Sequence, residues 1–414
     1  MENSARFGTV LWGQLAAPGC LAFPPLTFLE DGDEVTVGRP DQDEYIVLPA
    51  DAAALLRQLN DGSSIQDAAA WYARKYGEPI DVHSFVAELG ELGFIRRSGE
   101  PVTAPAPVRW QRLGTWVFSP ISAACYCVLL AGWLVASIRT PRLIPHPANL
   151  FYTHYMSVMV STLFLTQMPL VLLHEAAHTL AARRLGLRSR LSIGRRFYFL
   201  VFQTTMNGLV SVPRSKRYVP ILAGILFDLA VVAALSLTAD FLRSGNGSFG
   251  LAARYCLAVA YITSLRLLWQ LWFFLQTDIY YLVVTVFSCI DLQGTAKQQL
   301  RNRLNKALGR TPKYDPASWH PRDNSVAQWY SWVILGGYTA CLVSLMFAVL
   351  PASYRLFANV FRALAQHGHH NTASIVDSAV LLTLTTGELA LVAALYLRER
   401  KGRPTAGAPQ STTA

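Results

Sequence analysis

The segment LLHEAAHTL, residues 172–180, sets His174, Glu175 and His178 inside an apolar run extending from about 151 to 182. One ionisable side chain in the middle of a bilayer costs on the order of 3 kcal/mol or more. Three within a turn and a half of helix need a common reason. His174 and His178 are four residues apart and so share one helix face. Two imidazoles so placed can bind one zinc ion, with Glu175 beside them as a base. The run also exceeds the roughly 20 apolar residues that a membrane span takes. The segment therefore predicts a membrane helix that carries half of a metal centre.

Composition agrees with the membrane half of that reading. The chain has 414 residues, of which 52% are hydrophobic and 15% charged. Soluble globular proteins carry about 25% charged residues. The mean hydropathy is +0.28. A net charge of +10 then reads as basic residues flanking spans and meeting anionic lipid. No nucleic-acid-binding signature is present. Most of the six cysteines sit in apolar runs, and Cys125 and Cys127 lack zinc spacing and a second pair, so they read as packing residues. The start, MENSARFGTVLWGQLAAPG, lacks a basic region followed by an apolar core, so the N-terminus is expected in the cytosol.

Candidate spans are 116–138, 151–182, 218–242, 251–290, 329–352 and 373–397. The second is expected to bend at Pro169, and the fourth to break near Thr277 and Asp278. Nine Lys and Arg lie between spans two and three, from Arg183 to Arg217, and seven between spans four and five, from Lys297 to Arg322. The intervening loops carry two each, so the charge pattern predicts a multi-pass cell-membrane protein with both termini cytosolic. Residues 191–212, interrupted by Arg195 and Arg196, read as a hairpin at the cytosolic leaflet. The fold class is mainly α: a polytopic helix bundle of about six spans over 116–398, behind a small N-terminal α/β domain. A tail at 399–414 is expected to be disordered.

Residues 1–33 form an N-terminal segment, 34–97 a module of soluble character, and 98–115 a linker rich in Pro, Ala and Ser. Within the module, EVTVGRP and DEYIVLP read as strands around a turn. ADAAALLRQL, IQDAAAWYARKYG and DVHSFVAELGELG read as helices, the second capped by Ser64 with Asp67 three residues on. FIRR is expected to be a further strand. Three helices and a small sheet suggest a winged-helix-like module. YIVLPADAAALLRQLNDGSSIQDAAAWYARKYG and FVAELGELGFI resemble the PqqD-like recognition element of ribosomal peptide maturation. That resemblance implies a precursor leader peptide as partner, added as a strand to the sheet edge.

A catalytic zinc needs a third protein ligand and an open position. Asp278 is the best candidate. Arg183 and Arg184 put the histidine motif near the cytosolic end of span two. Asp278 lies about 27 residues into span four, roughly 40 Å of helix, at a similar level. His367, His369 and His370 fall on an outer loop, and His154 at the outer end of span two. Asp228 and Arg266 are opposite charges in spans three and four and are expected to pair. Asp228, Arg266 and Asn207 are also candidates for substrate contact. Asp377 and Glu388 share a face of span six.

LLHEAAHTLAARRLG, LAGILFD and LQTDIYYL together resemble the site-2-protease-like M50 intramembrane metallopeptidases, closest to the branch associated with peptide maturation. The resemblance covers roughly 150 to 310. It implies His174, His178 and Asp278 as Zn2+ ligands and Glu175 as catalytic base for cleaving a precursor peptide, with the lipid bilayer, maturation enzymes or a transporter as further partners. Three departures stand out. Trp272 and Phe273 replace the family's Asn-Pro, Ile279 replaces the glycine after the aspartate, and Gly224 to Asp228 replaces a Gly-x-x-x-Asn-type motif. An alternative expectation is therefore a catalytically inactive relative that binds peptide in export or immunity. A third is a small transporter using Asp278, Asp377 and Glu388.

Overall fold

The structure, a computed structural model, describes residues 21–40, 42, 44–96, 108–196 and 199–351, with isolated positions from there to 394. The expected span at 373–397 falls largely outside the described residues. His367, His369, His370, Asp377, Glu388 and the tail lie outside them entirely. The chain divides into two compact units, one of Met1–Arg109 with Met206–Lys216, the other of Trp110–Thr205 and Arg217–Ala414.

In the first unit, β1 (Thr27–Asp31), β2 (Glu34–Arg39) and β3 (Glu44–Pro49) form an antiparallel sheet in the order β1-β2-β3. Alternation along β2 buries Val35 and Val37, which pair with Leu48 and Ile46 of β3. Against them pack α1 (Ala50–Asn60), α2 (Ile65–Tyr76) and α3 (Val82–Glu91) through Leu55, Leu56, Leu59, Ala68, Val86 and Leu89. Ser64 caps α2 by accepting the Asp67 amide at 3.1 Å, as its spacing predicts. The unit differs from expectation at both ends. β1 and the packed Leu21, Phe23 and Leu26 precede residue 34, because two strands alone leave the helices' apolar faces uncovered. Phe94 and Ile95 of the expected final strand are buried but form no strand, and the Arg96 amide donates instead to the Ala22 carbonyl.

The second unit is mostly helical. It contains α4 (Gln111–Val117), α5 (Pro120–Arg139), α6 (Met156–Arg184), the hairpin β4 (Arg188–Arg196) and β5 (Phe199–Asn207), α7 (Arg214–Phe241), α8 (Leu251–Trp269), α9 (Asp278–Phe287), α10 (Leu292–Ala307) and α11 (Pro321–Ser344). Helix α7 begins in the segment assigned to the first unit. Among the described residues, α5, α6, α7, α8 and α11 are long and apolar enough to cross a membrane. On α5 only Ser137 is buried, although the helix is strongly apolar, and that is how a lipid-facing helix reads. Pro169 lies inside one continuous 29-residue helix; it causes no interruption. The fourth expected span does break: α8 and α9 are separated by residues 270–277, and α9 meets α10 at 90°. Helix α4 lies backbone to backbone on the end of α6, since a side chain at Gly114 would strike the Leu180 carbonyl.

One contact of the first unit has a pH signature. The Tyr72 hydroxyl donates to Asp51 Oδ2, which holds the Asp51 carboxyl below its usual range and pushes the Tyr72 phenol up to about 12. The carboxylate's contribution to stability is therefore present at neutral pH and lost as pH falls through the lowered Asp51 value. The phenol's contribution is complete below about 10 and lost as pH rises through about 12. Tyr72→Phe should lower the stability of this unit by about 1 kcal/mol at neutral pH. The deficit, read by hydrogen exchange of α1 and α2, should shrink as the pH is lowered through the depressed Asp51 value.

Candidate metal centre

His174, Glu175 and His178 lie in the C-terminal half of α6 and are all buried. Each imidazole is anchored by α7 through Nδ1. His174 Nδ1 lies 3.0 Å from Asp228 Oδ2, and His178 Nδ1 lies 2.8 Å from the Pro220 carbonyl. Both partners are acceptors, so each Nδ1 carries the proton and each Nε2 keeps its lone pair. Pro220, Gly224 and Asp228 follow at intervals of four and share one face of α7. Gly224 sits between the two anchors. A methyl group on it would overlap the Nε2 atoms of both histidines, so only glycine lets α7 come this close.

Asp278 completes the group. Its Oδ2 lies 3.3 Å from His174 Nε2 and 3.2 Å from His178 Nε2, and the two nitrogens are 3.3 Å apart. Three acceptors facing one another in a buried site repel unless a cation or a proton lies among them. Ligands about 2.05 Å from a tetrahedral zinc lie about 3.3 Å from one another. The triangle therefore has the size that zinc requires, and the donor set of two imidazoles and one carboxylate oxygen suits that ion. Among the described residues, this is the group of His, Cys, Asp or Glu that could hold a metal.

The broken span puts Asp278 there. After α8, a 3-10 turn spans Phe273–Leu275 and Gln276 takes a left-handed conformation with φ of 59°. Backbone released from a helix in apolar surroundings must find partners. Gln270 supplies two: its side-chain oxygen accepts the Asp278 amide at 3.0 Å, and its carbonyl accepts the Thr277 hydroxyl at 2.7 Å. Tyr330 of α11 places its hydroxyl 3.1 Å from the Phe273 carbonyl and 2.8 Å from Gln293 Oε1. Gln293 Nε2 donates to the Phe274 carbonyl at 3.4 Å. Phe274, Leu275, Tyr280, Tyr330 and Ile334 form the apolar core around this turn. The turn that holds Trp272 and Phe273 is thus built on Gln270, Gln293 and Tyr330.

Glu175 is adjacent to the triangle but outside it. Its Oε2 accepts the Thr204 hydroxyl at 2.7 Å, and the same hydroxyl oxygen lies 3.2 Å from the Glu175 carbonyl. Strand β5 thereby holds the Glu175 carboxylate, one residue along α6 from His174.

The expected pair forms. Arg266 grips Asp228 with Nε on Oδ2 at 2.8 Å and Nη2 on Oδ1 at 2.5 Å. Asp228 is fully buried and faces His174, and Arg266 turns to Asp228 and Gln167. The contacts described for them are with one another and with His174 and Gln167, and the Arg266 side chain is partly exposed. Asn207 ends β5, and its side chain lies outside what the structure describes. Sequence reasoning missed Thr204, Gln270, Gln167 and Gln293. A glutamine inside an apolar run was the available signal for Gln167 and Gln270, since polar side chains at that depth need a reason.

No protein-family model, curated protein or solved structure matches the chain. Gly224 offers a direct test of the geometry. Gly224→Ala should leave the protein folded yet weaken zinc binding by about tenfold or more, as measured by competition with a chromophoric chelator.

Proposed function

We propose that this chain is a membrane zinc endopeptidase that cuts a ribosomally made precursor peptide near the cytosolic face. The observation that carries the reading is the 3.2–3.3 Å triangle of His174 Nε2, His178 Nε2 and Asp278 Oδ2, with the buried carboxylate of Glu175 one residue from the first ligand. Zinc held by such a set makes water acidic near neutral pH and polarises a carbonyl.

The rest belongs to the chain. Glu175, held by Thr204, takes the proton from the attacking water and passes it to the leaving amine nitrogen as the carbon–nitrogen bond breaks. The scissile segment must be extended, because a helix hides its carbonyls. The β4–β5 hairpin, joined to Glu175 through Thr204, offers an edge for an extended chain to pair with. Substrate class rests on the resemblance of residues 34–97 to a leader-binding element. Among the described residues, β1 and β3 are the outer strands of the sheet in that unit, where such pairing would add a strand. Orientation rests on the basic loops, which argue for both termini in the cytosol. Maturation enzymes or a transporter of the same pathway are the further partners this reading implies.

The test uses the full chain in detergent or liposomes with candidate precursor peptides, read by mass spectrometry. Glu175→Gln should keep its zinc and lose cleavage by about 100-fold or more. His174→Ala, His178→Ala and Asp278→Ala should lose both zinc and cleavage. Undiminished cleavage by a zinc-loaded Glu175→Gln protein would overturn the assignment. A wild-type protein that binds the leader but cuts nothing would instead point to a peptide-binding relative.

A further inference from the structure

The hydrogen bonds around His174 continue well past the ligand set. Asp228 Oδ2 accepts from His174 Nδ1 on one side and from Arg266 Nε on the other, and Oδ1 accepts from Arg266 Nη2. Arg266 Nη1 donates to Gln167 Oε1 at 3.0 Å. Gln167 Nε2 in turn lies 3.3 Å from the Val259 carbonyl and 3.3 Å from Thr263 Oγ1. Three helices thus converge on one ring nitrogen: α6 through Gln167, α7 through Asp228 and α8 through Arg266.

The arrangement is unsymmetrical. His178 is anchored by a neutral backbone carbonyl, whereas His174 is anchored by a carboxylate. A lone carboxylate beside the site could swing round and compete for the ion, or leave a second uncompensated charge in a buried place. Arg266 prevents both. Its two-point grip fixes the plane of the carboxylate and cancels its charge, and Gln167 fixes the guanidinium.

Resting on the metal reading above, we propose that Asp228, Arg266 and Gln167 are positioning residues for His174. They lock its Nδ1–H tautomer and aim its Nε2 lone pair at the metal position, and this chain carries aspartate at residue 228 because Arg266 is there to balance it. The ion pair then serves metal affinity more than it serves the stability of the bundle. Outer partners of this kind commonly change affinity by about 10–100-fold.

The experiment measures zinc affinity of the full chain by chelator competition, with the visible absorption of the cobalt-substituted protein and the melting of the zinc-free protein beside it. Asp228→Ala with Arg266→Met removes the acceptor without leaving a charge unpaired. It should bind zinc about 10–100-fold more weakly and shift the cobalt spectrum. Asp228→Asn with Arg266→Gln keeps an oxygen for Nδ1–H and should stay within about threefold of wild type, a rescue that a purely structural ion pair would not give. Should the first double variant fail to fold, Asp228→Glu keeps the charges but moves the acceptor, and should weaken zinc binding by about tenfold. Wild-type affinity in Asp228→Ala/Arg266→Met, or in Asp228→Glu, would overturn the inference alone. A wild-type chain that takes up no zinc would overturn it together with the reading it rests on.

Discussion

A backbone amide or carbonyl in apolar surroundings has no water to turn to, and each one left alone costs several kcal/mol. That constraint governs the second unit of this protein. Helices α5 to α8 and α11 meet it internally. Residues 270–277 cannot, so the chain surrounds them with Gln270, Thr277, Gln293 and Tyr330, each claiming a group that the helix released. A carboxylate on an unbroken helix would project at the helix surface. At the first residue after the break, Asp278 instead reaches across to α6. The site exists because the interruption was made affordable.

A second constraint is close approach. The two imidazoles sit on α6, but their orientation is decided on α7, where Pro220, Gly224 and Asp228 provide an acceptor, a gap and an acceptor in turn. Replacing the gap by any side chain separates the helices, and replacing either acceptor frees a ring to turn. Geometry on one helix is thereby written in the sequence of its neighbour. This is the physical content of a motif spread over more than 50 residues.

Much of this could be read before any coordinates. The i, i+4 histidines, the break near Asp278, the Asp228–Arg266 pair and the Ser64 cap all follow from spacing or from the cost of charge in oil, and the structure has each of them. What could not be read depended on partners met in the fold. Strand β1, TFLED, is short and lacks a clean alternation, and its pairing with the adjoining β2 makes it a strand. Phe94 and Ile95 look like a strand by composition but are drawn into the helical core instead. Pro169, where a bend was expected, lies inside the continuous helix α6. Thr204 is an ordinary β-branched residue until the hairpin folds back onto α6.

The length of α8 bears on the supply of water. Its 19 residues rise about 28 Å, close to the roughly 30 Å of a hydrocarbon core. A helix of that length spends itself in a single crossing, and the break at Gln270 begins where the crossing ends. Were the cluster to hydrolyse peptide bonds as proposed, it would consume one water per bond cut, and a centre deep in lipid would be starved of it. Because Asp278 follows the break rather than lying within α8, such a centre would stand beyond the end of one crossing, where water is near.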